Sequence, residues 1–257
     1  MVGLELRFKT NPTPRGWPDF CVPDSLQCIV AAPMQLTLTH KTHLADNVWS
    51  FQFAPQHPVS WLAGQFVEIT IPHEHPDTGG VSRRFTICAA PYEQAITITT
   101  RITKTTFKQA LHALPVGGHV TLAQQPAGDF LWLGADRPHI FAAQGIGITP
   151  FYAIIKDRIH RGLPVQATLV YAHQPGMAAI FEGDFTAWAH LDPTLTVIAD
   201  TGTLTAARLA ELAPDYAQRI VYASGPKSFI SLCMPPHNLP ISHLKQDNFP
   251  GYAAANY

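Results

Sequence analysis

The chain reads as two domains, an antiparallel β-barrel followed by an α/β domain built on a parallel sheet. Three observations predict this. From Met34 to Leu122, short runs of alternating apolar and polar residues recur between turn signals, as strands with one buried face do. Beyond Ala135 the texture changes to strands alternating with helical stretches, which calls for crossover connections and a parallel sheet. At the head of that second half, Gln144-Gly145-Ile146-Gly147-Ile148-Thr149-Pro150 joins a buried strand directly to a helix, with a proline in the first turn. A length of 257 residues accommodates two domains of ordinary size.

The expected boundaries are residues 33–135 for the barrel and 136–257 for the α/β domain, with residues 1–32 as an extension of unclear role. In the barrel, strands are expected around Leu36 and Leu38, then at Val48 to Phe53, Trp61 to Pro72, Phe85 to Cys88, Ala95 to Thr103 and Gly117 to Leu122. So many short strands at close spacing read as a closed or nearly closed barrel. One helix interrupts it. The stretch from Thr105 to Leu114 has a hydroxyl at its start, apolar residues at helical spacing, and Pro115 and Gly117 as terminators. In the second half the strands fall near residues 138–143, 166–172, 195–199 and 219–223. Helices are expected near 149–161, 181–190 and 205–212, on both faces of the sheet.

Composition narrows the function classes. Charged residues make up 14% of the chain, below the roughly 25% of a typical soluble domain. Lys and Arg total 17 against 18 Asp and Glu, so no strong positive field points to nucleic acid. None of Cys21, Cys28, Cys88 and Cys233 forms a C-x-x-C pair, which leaves out a zinc ribbon and a plant-type iron–sulfur cluster. His73-Glu74-His75 lacks a third ligand at fixed spacing, and no metal site is expected. The start lacks a basic segment before an apolar core, and the apolar stretch from Ile140 to Ile155 is broken by Gln144, Gly145, Gly147 and Pro150. A cytoplasmic protein without a membrane span is the expectation.

The chemistry gathers around Val81-Ser82-Arg83-Arg84-Phe85-Thr86-Ile87-Cys88-Ala89-Ala90-Pro91. Read alone, this is a β-prone run with a cation, an aromatic ring and a hydroxyl in close succession. In an extended chain Arg83 and Phe85 share one face and Arg84 and Thr86 the other. The stretch resembles the Arg-x-Tyr/Phe-Ser/Thr flavin motif of the ferredoxin–NADP⁺ reductase-like flavoproteins. The resemblance implies that Arg83 holds the FAD pyrophosphate, Phe85 lies against the isoalloxazine and Thr86 approaches flavin N5. Ile87 and Cys88 would continue the cofactor wall. It also implies that the helix opening at Thr105 and Thr106 turns its free amides on the pyrophosphate, as helix N-termini can.

Three further stretches carry the resemblance, in the family's order. The Gly145-Ile146-Gly147-Ile148-Thr149-Pro150 loop is similar to the family's nicotinamide-dinucleotide loop, although Gln144 stands where another glycine is usual. By that likeness Gly145, Gly147, Thr149 and Pro150 contact the dinucleotide, and a side chain at Gly147 would push it outward. Ser224-Gly225-Pro226 ends a strand and opens a helix where the family has Cys/Ser-Gly-Pro near the nicotinamide. Asp247-Asn248-Phe249-Pro250-Gly251-Tyr252 resembles the family's C-terminal acidic-x-Phe-x-Gly-Tyr, with Tyr252 or Tyr257 as a cover for the flavin face.

The resemblance therefore implies an FAD-dependent oxidoreductase that takes hydride from NADH or NADPH, with Thr86 and Phe85 at the point of transfer. Electrons would leave to a separate acceptor such as ferredoxin or flavodoxin. Basic residues near the motif, among them Lys41, Arg84, Arg101, Lys104 and Lys108, would form a rim for an acidic carrier if they share a surface. Gln174, where NADPH-using relatives tend to place an Arg, offers little to a 2′-phosphate. Two other readings stay open, an electron-transfer subunit of a larger complex and a flavin-binding regulatory protein without hydride transfer.

Overall fold

The computed structural model describes residues 33–134, 137–173, 178–233 and 244–248. The expectations for the 1–32 extension, Gln174, Tyr252 and Tyr257 lie outside these residues. Among the described residues no helix is long and apolar enough to cross a membrane, and no group of His, Cys, Asp and Glu is placed to hold a metal.

The first half is a six-stranded antiparallel sheet. Its strands are β1 (Met34–Ala45), β2 (Val48–Pro55), β3 (Phe66–Thr70), β4 (Ser82–Thr86), β5 (Ile96–Arg101) and β6 (His119–Leu122). They run in the order β4-β3-β6-β1-β2-β5. The sheet curls until its two edges meet, where the Cys88 amide donates to Thr97 O at 2.7 Å. Period-two alternation explains the core: Leu36, Leu38, Phe51, Phe53, Val67, Ile69, Ile96 and Ile98 all point inward and are buried. Helix α1 (Thr106–Ala113) closes one end by inserting Phe107 and Leu111, four residues apart on one face. Lys41 donates to His112 O and Leu114 O, holding the C-terminal carbonyls of α1 as lysines near a helix end can.

The second half is a five-stranded parallel sheet of β7 (His139–Gln144), β8 (Ala167–Ala172), β9 (Leu195–Asp200), β10 (Ile220–Gly225) and β11 (Leu244–Asn248). The order is β11-β10-β7-β8-β9. Phe141, Ala143, Leu169 and Tyr171 pack under α2 (Thr149–His160) and α3 (Glu182–Leu191). Ile140, Ala142, Val170 and Ala172 pack over α4 (Ala206–Leu212) and α5 (Lys227–Cys233). Burial on both faces is why β7 and β8 read as continuous apolar runs. The chain winds from β7 out to β9 and returns on the other side of β7 as β10. The switch point of the sheet therefore lies between the ends of β7 and β10, where open α/β sheets hold their ligands.

The halves meet at a seam. Tyr222 on β10 donates its hydroxyl to Leu131 O at 2.8 Å and accepts from the Leu133 amide at 2.9 Å, fixing the strip between the two sheets. From the barrel side, Glu93 pairs with Lys156 of α2 at 2.7 Å and Tyr92 stacks on His160. Strand β11 is the element with no counterpart among the expected strands; residues 244–248 read only as a motif.

Candidate active site at the seam between barrel and parallel sheet

Strand β4 carries the motif to the seam. It pairs with β3 so that Phe85 faces Val67 and Thr86 faces Phe66. Arg83 turns back onto the loop before β4. Its guanidinium donates to Gly80 O and Ser82 O at 3.0 and 2.8 Å and also reaches Gly79 O and the Asp77 carboxylate. Asp77 also accepts the Gly79 amide at 2.8 Å. That bond, with Arg83 second, holds the carboxyl below its ordinary range. The Asp77-Thr78-Gly79-Gly80 turn is therefore a cradle for Arg83, a pairing invisible in the motif itself. Arg84 lies on the other face, 3.1 Å from Glu68.

Phe85 is buried, with its ring 5.9 Å from that of Phe107 on α1. Lys108, one residue further along α1, sets its ammonium 4.4 Å from the Phe85 ring centroid. Thr105 occupies the N-cap position of α1, but its hydroxyl makes no cap bond and lies 3.3 Å from Thr103 Oγ1. Thr106 meets His73 Nε2 at 3.1 Å. The hydroxyl cap read from the sequence is thus corrected: the first-turn amides of α1 are left without a side-chain cap. Ile87 and Cys88 follow Thr86 just past the end of β4. Their amides are bonded to Gln65 O and Thr97 O, and their side chains are buried in the barrel wall. Burial pushes the Cys88 thiol up to about 12, so it stays a neutral packing group.

Thr86 ends β4 and crosses the seam, donating its hydroxyl to Asp247 Oδ2 at 3.2 Å. Asp247 lies on β11 in register with Ser224 on β10. Desolvation is the main influence on Asp247 and lifts its carboxyl to about 6, while the Thr86 hydrogen bond pulls the other way. Ser224 is fully buried, and its hydroxyl has no hydrogen-bond partner among the described residues. An orphaned buried hydroxyl is costly unless something else engages it, and this one lies at the switch point.

The loop after β7 completes the crevice. Residues 145–148 form one 3₁₀ turn leading into α2. Gly145 has φ +54°, and a side chain there would meet no atom of the described residues within 4 Å, which leaves room for a ligand. Gly147 differs. A Cβ there would collide with the Ser224 carbonyl and the Gly225 amide. Its glycine is required by packing of the loop against β10, which corrects the expectation that a side chain at Gly147 would first displace a dinucleotide. Thr149 donates to Ile146 O at 3.1 Å, and Thr149 and Pro150 are both buried, so they shape the loop. Gln144 is half-buried beside Gly225; a Cβ on that glycine would lie 3.3 Å from Gln144 Cβ. Pro226 follows, half-buried, at the entry to α5.

No family model matches the chain. It is 30% identical over 185 residues to the ferredoxin reductase component of 3-ketosteroid-9-alpha-monooxygenase from Mycobacterium tuberculosis, covering 68% of this chain and 50% of that protein. The chain thus spans about half the length of the curated reductase components it matches. In structure it superposes on the flavohem-like FAD/NAD binding domain of nitric oxide dioxygenase from Vibrio cholerae with a TM-score of 0.73, at 19% identity, over 84% of this chain and 98% of that one. Ferredoxin-NADP⁺ reductase from Plasmodium falciparum superposes with a TM-score of 0.68 at 13% identity, over 84% and 96% of the two chains. By fold, the chain is similar to these FAD/NAD-binding and ferredoxin-NADP⁺ reductase structures.

Sequence reading assigned Arg83, Phe85 and Thr86 to the flavin and Gly145 and Ser224 to the dinucleotide; β4, which carries the first three, meets β11 through Thr86 and Asp247, and β11 pairs with β10, which carries Ser224. Asp247 was part of a quoted motif without a role. Asp77 and Glu93 were missed, since their partners Arg83 and Lys156 are assigned by folding alone. Lys108 was read as one rim cation among several. Of that rim, Lys41 holds the α1 carbonyls and Arg84 pairs with Glu68. Arg101 donates to Asn47 Oδ1 at 2.7 Å, and Lys104 is exposed.

Proposed function

We propose that the chain is an FAD-dependent NAD(P)H oxidoreductase that takes hydride from nicotinamide C4 onto flavin N5 and passes electrons to a separate ferredoxin or flavodoxin. The observation that carries this reading is the Thr86–Asp247 bond. It joins the end of the flavin-motif strand to the open end of the parallel sheet, beside the orphaned Ser224 hydroxyl. A flavin on β4 and a nicotinamide at the switch point would then share one crevice.

The residues present fit both cofactors. Arg83, the uncapped first turn of α1 and the Thr105 and Thr106 hydroxyls suit a pyrophosphate, and Phe85 offers an aromatic surface. The open backbone at Gly145, the Ser224 hydroxyl and the Gly225-Pro226 entry to α5 suit a dinucleotide. FAD supplies a ring that accepts two electrons and releases them one at a time. The protein's own part is to hold the two rings in order, to set the Thr86 hydroxyl by its bond to Asp247, and to keep water from the buried Ser224. Residues 33–135 would be the FAD domain and residues 136–257 the NAD(P) domain, with the protein working in the cytoplasm.

A second reading is supported by the relative from Mycobacterium tuberculosis, itself a reductase component of a monooxygenase. The chain would then be the electron-transfer subunit of an oxygenase system, with the same internal chemistry. Purified protein is expected to be yellow and to release FAD on denaturation. Release of FMN, or no uptake of added flavin, would sink the cofactor assignment.

A further inference from the structure

We propose that Lys108 is a second cation of the FAD pyrophosphate site, parked against Phe85 and Thr100 and free to transfer to the phosphates. This rests on the FAD reading above. Lys108 stands in the first turn of α1, between the uncapped amides and the β4 motif. Its ammonium lies 4.4 Å from the Phe85 centroid and donates to Thr100 Oγ1 on β5. Arg83 lies against the same aromatic pair, with its guanidinium carbon 5.2 Å from the Phe107 centroid. Two cations thus converge on one ring pair at the mouth of the barrel.

Their circumstances differ. Arg83 has a carboxylate partner, Asp77, and three backbone carbonyls from its own turn. Lys108 has a neutral hydroxyl, and no carboxylate among the described residues lies within ion-pair distance of it. An ammonium carries three donors, so two remain for a ligand. Desolvation first, and then the Arg83 charge, lower its pKa to about 7, which marks the site as short of negative charge. A half-buried lysine without an anion is held at some cost, and a methionine would pack against Phe85 more favourably. A lysine in this place is therefore explained by a ligand that brings the missing charge. The flavin ring is not that ligand, because it is neutral when oxidised; a pyrophosphate is. The other charged or titratable groups at this place are Arg83 and its partner Asp77, with His73 beside Thr106.

The test compares parent, Lys108→Met and Lys108→Arg after removal of flavin. Affinities for FAD and for riboflavin, which lacks phosphate, are read from flavin fluorescence over a range of salt concentrations. Loss of one charge-assisted contact should weaken FAD binding of Lys108→Met by about 10- to 100-fold and flatten its salt dependence. Riboflavin affinity should not change, Lys108→Arg should keep most FAD affinity, and flavin-free Lys108→Met should melt no lower than the parent. Unchanged FAD affinity in Lys108→Met, or an equal loss for FAD and riboflavin, would overturn the proposal and leave Lys108 a packing residue. If Lys108→Met melts lower, Lys108→Gln takes its place under the same criteria. A parent that binds no FAD at all would bring down the cofactor reading, and this role with it.

Discussion

Burial raises the Asp247 carboxyl above the ordinary aspartate range. Its carboxyl sits half-buried at the seam and titrates at about 6, against about 3.9 in an unfolded chain. The folded protein therefore binds this proton more tightly than the unfolded one. Stability from this group is full below about pH 4 and is lost as pH rises to about 6. Asp247→Asn keeps an acceptor for the Thr86 hydroxyl and removes the titration. Melting temperatures from pH 4 to 6 should fall less steeply with rising pH in the variant than in the parent. Asp77, Asp192 and Asp200 are shifted the other way, but they are common to both proteins and cancel in the comparison. Parallel pH profiles would show that Asp247 is solvated and not held at the seam. The sequence offered the acidic residue but not its raised pKa, which arises from burial at the seam, while its partner Thr86, 161 positions away, pulls the other way. Arg83 gives the same lesson: its motif was legible, whereas its capture by Asp77 depends on how one turn folds.

Among the elements, the turn from β7 into α2 separates two glycines that look alike in sequence. Gly145 faces open space, while Gly147 is pressed against β10. Gly147→Ala should cost about 1–3 kcal/mol of stability, the range of an overpacked core, and should lower the melting temperature before any effect on a ligand is considered. Gly145→Ala carries the smaller strain of a left-handed residue without a clash. Equal stability of Gly147→Ala and the parent, by denaturant unfolding, would contradict the close approach of loop and strand. Strands and helices were readable because period-two and helical spacing follow from backbone geometry. Strand β11 was not, since Leu244-Lys245-Gln246-Asp247-Asn248 has little apolar pattern and owes its place to pairing with β10. Ile87 and Cys88 were assigned to the cofactor wall through the resemblance; that their side chains are buried where the Cys88 amide closes the barrel is not legible in the motif.

At the scale of the whole molecule, the proposed function needs both halves to serve one crevice. The barrel brings Thr86 to the seam, the sheet brings Ser224 and Asp247, and Tyr222 together with the Glu93–Lys156 pair holds the seam closed. A 2′-phosphate would find little welcome near the end of β8, because Arg208 is already engaged by Asp200 and Glu211. The direct test is anaerobic stopped-flow mixing of the FAD-loaded protein with NADH and, separately, with NADPH at about pH 7.5, following loss of the oxidised-flavin absorbance. The account predicts rapid bleaching by NADH, at least as fast as by NADPH. A flavin that stays oxidised with both donors would contradict hydride transfer across the seam and leave a flavin-binding protein of another kind.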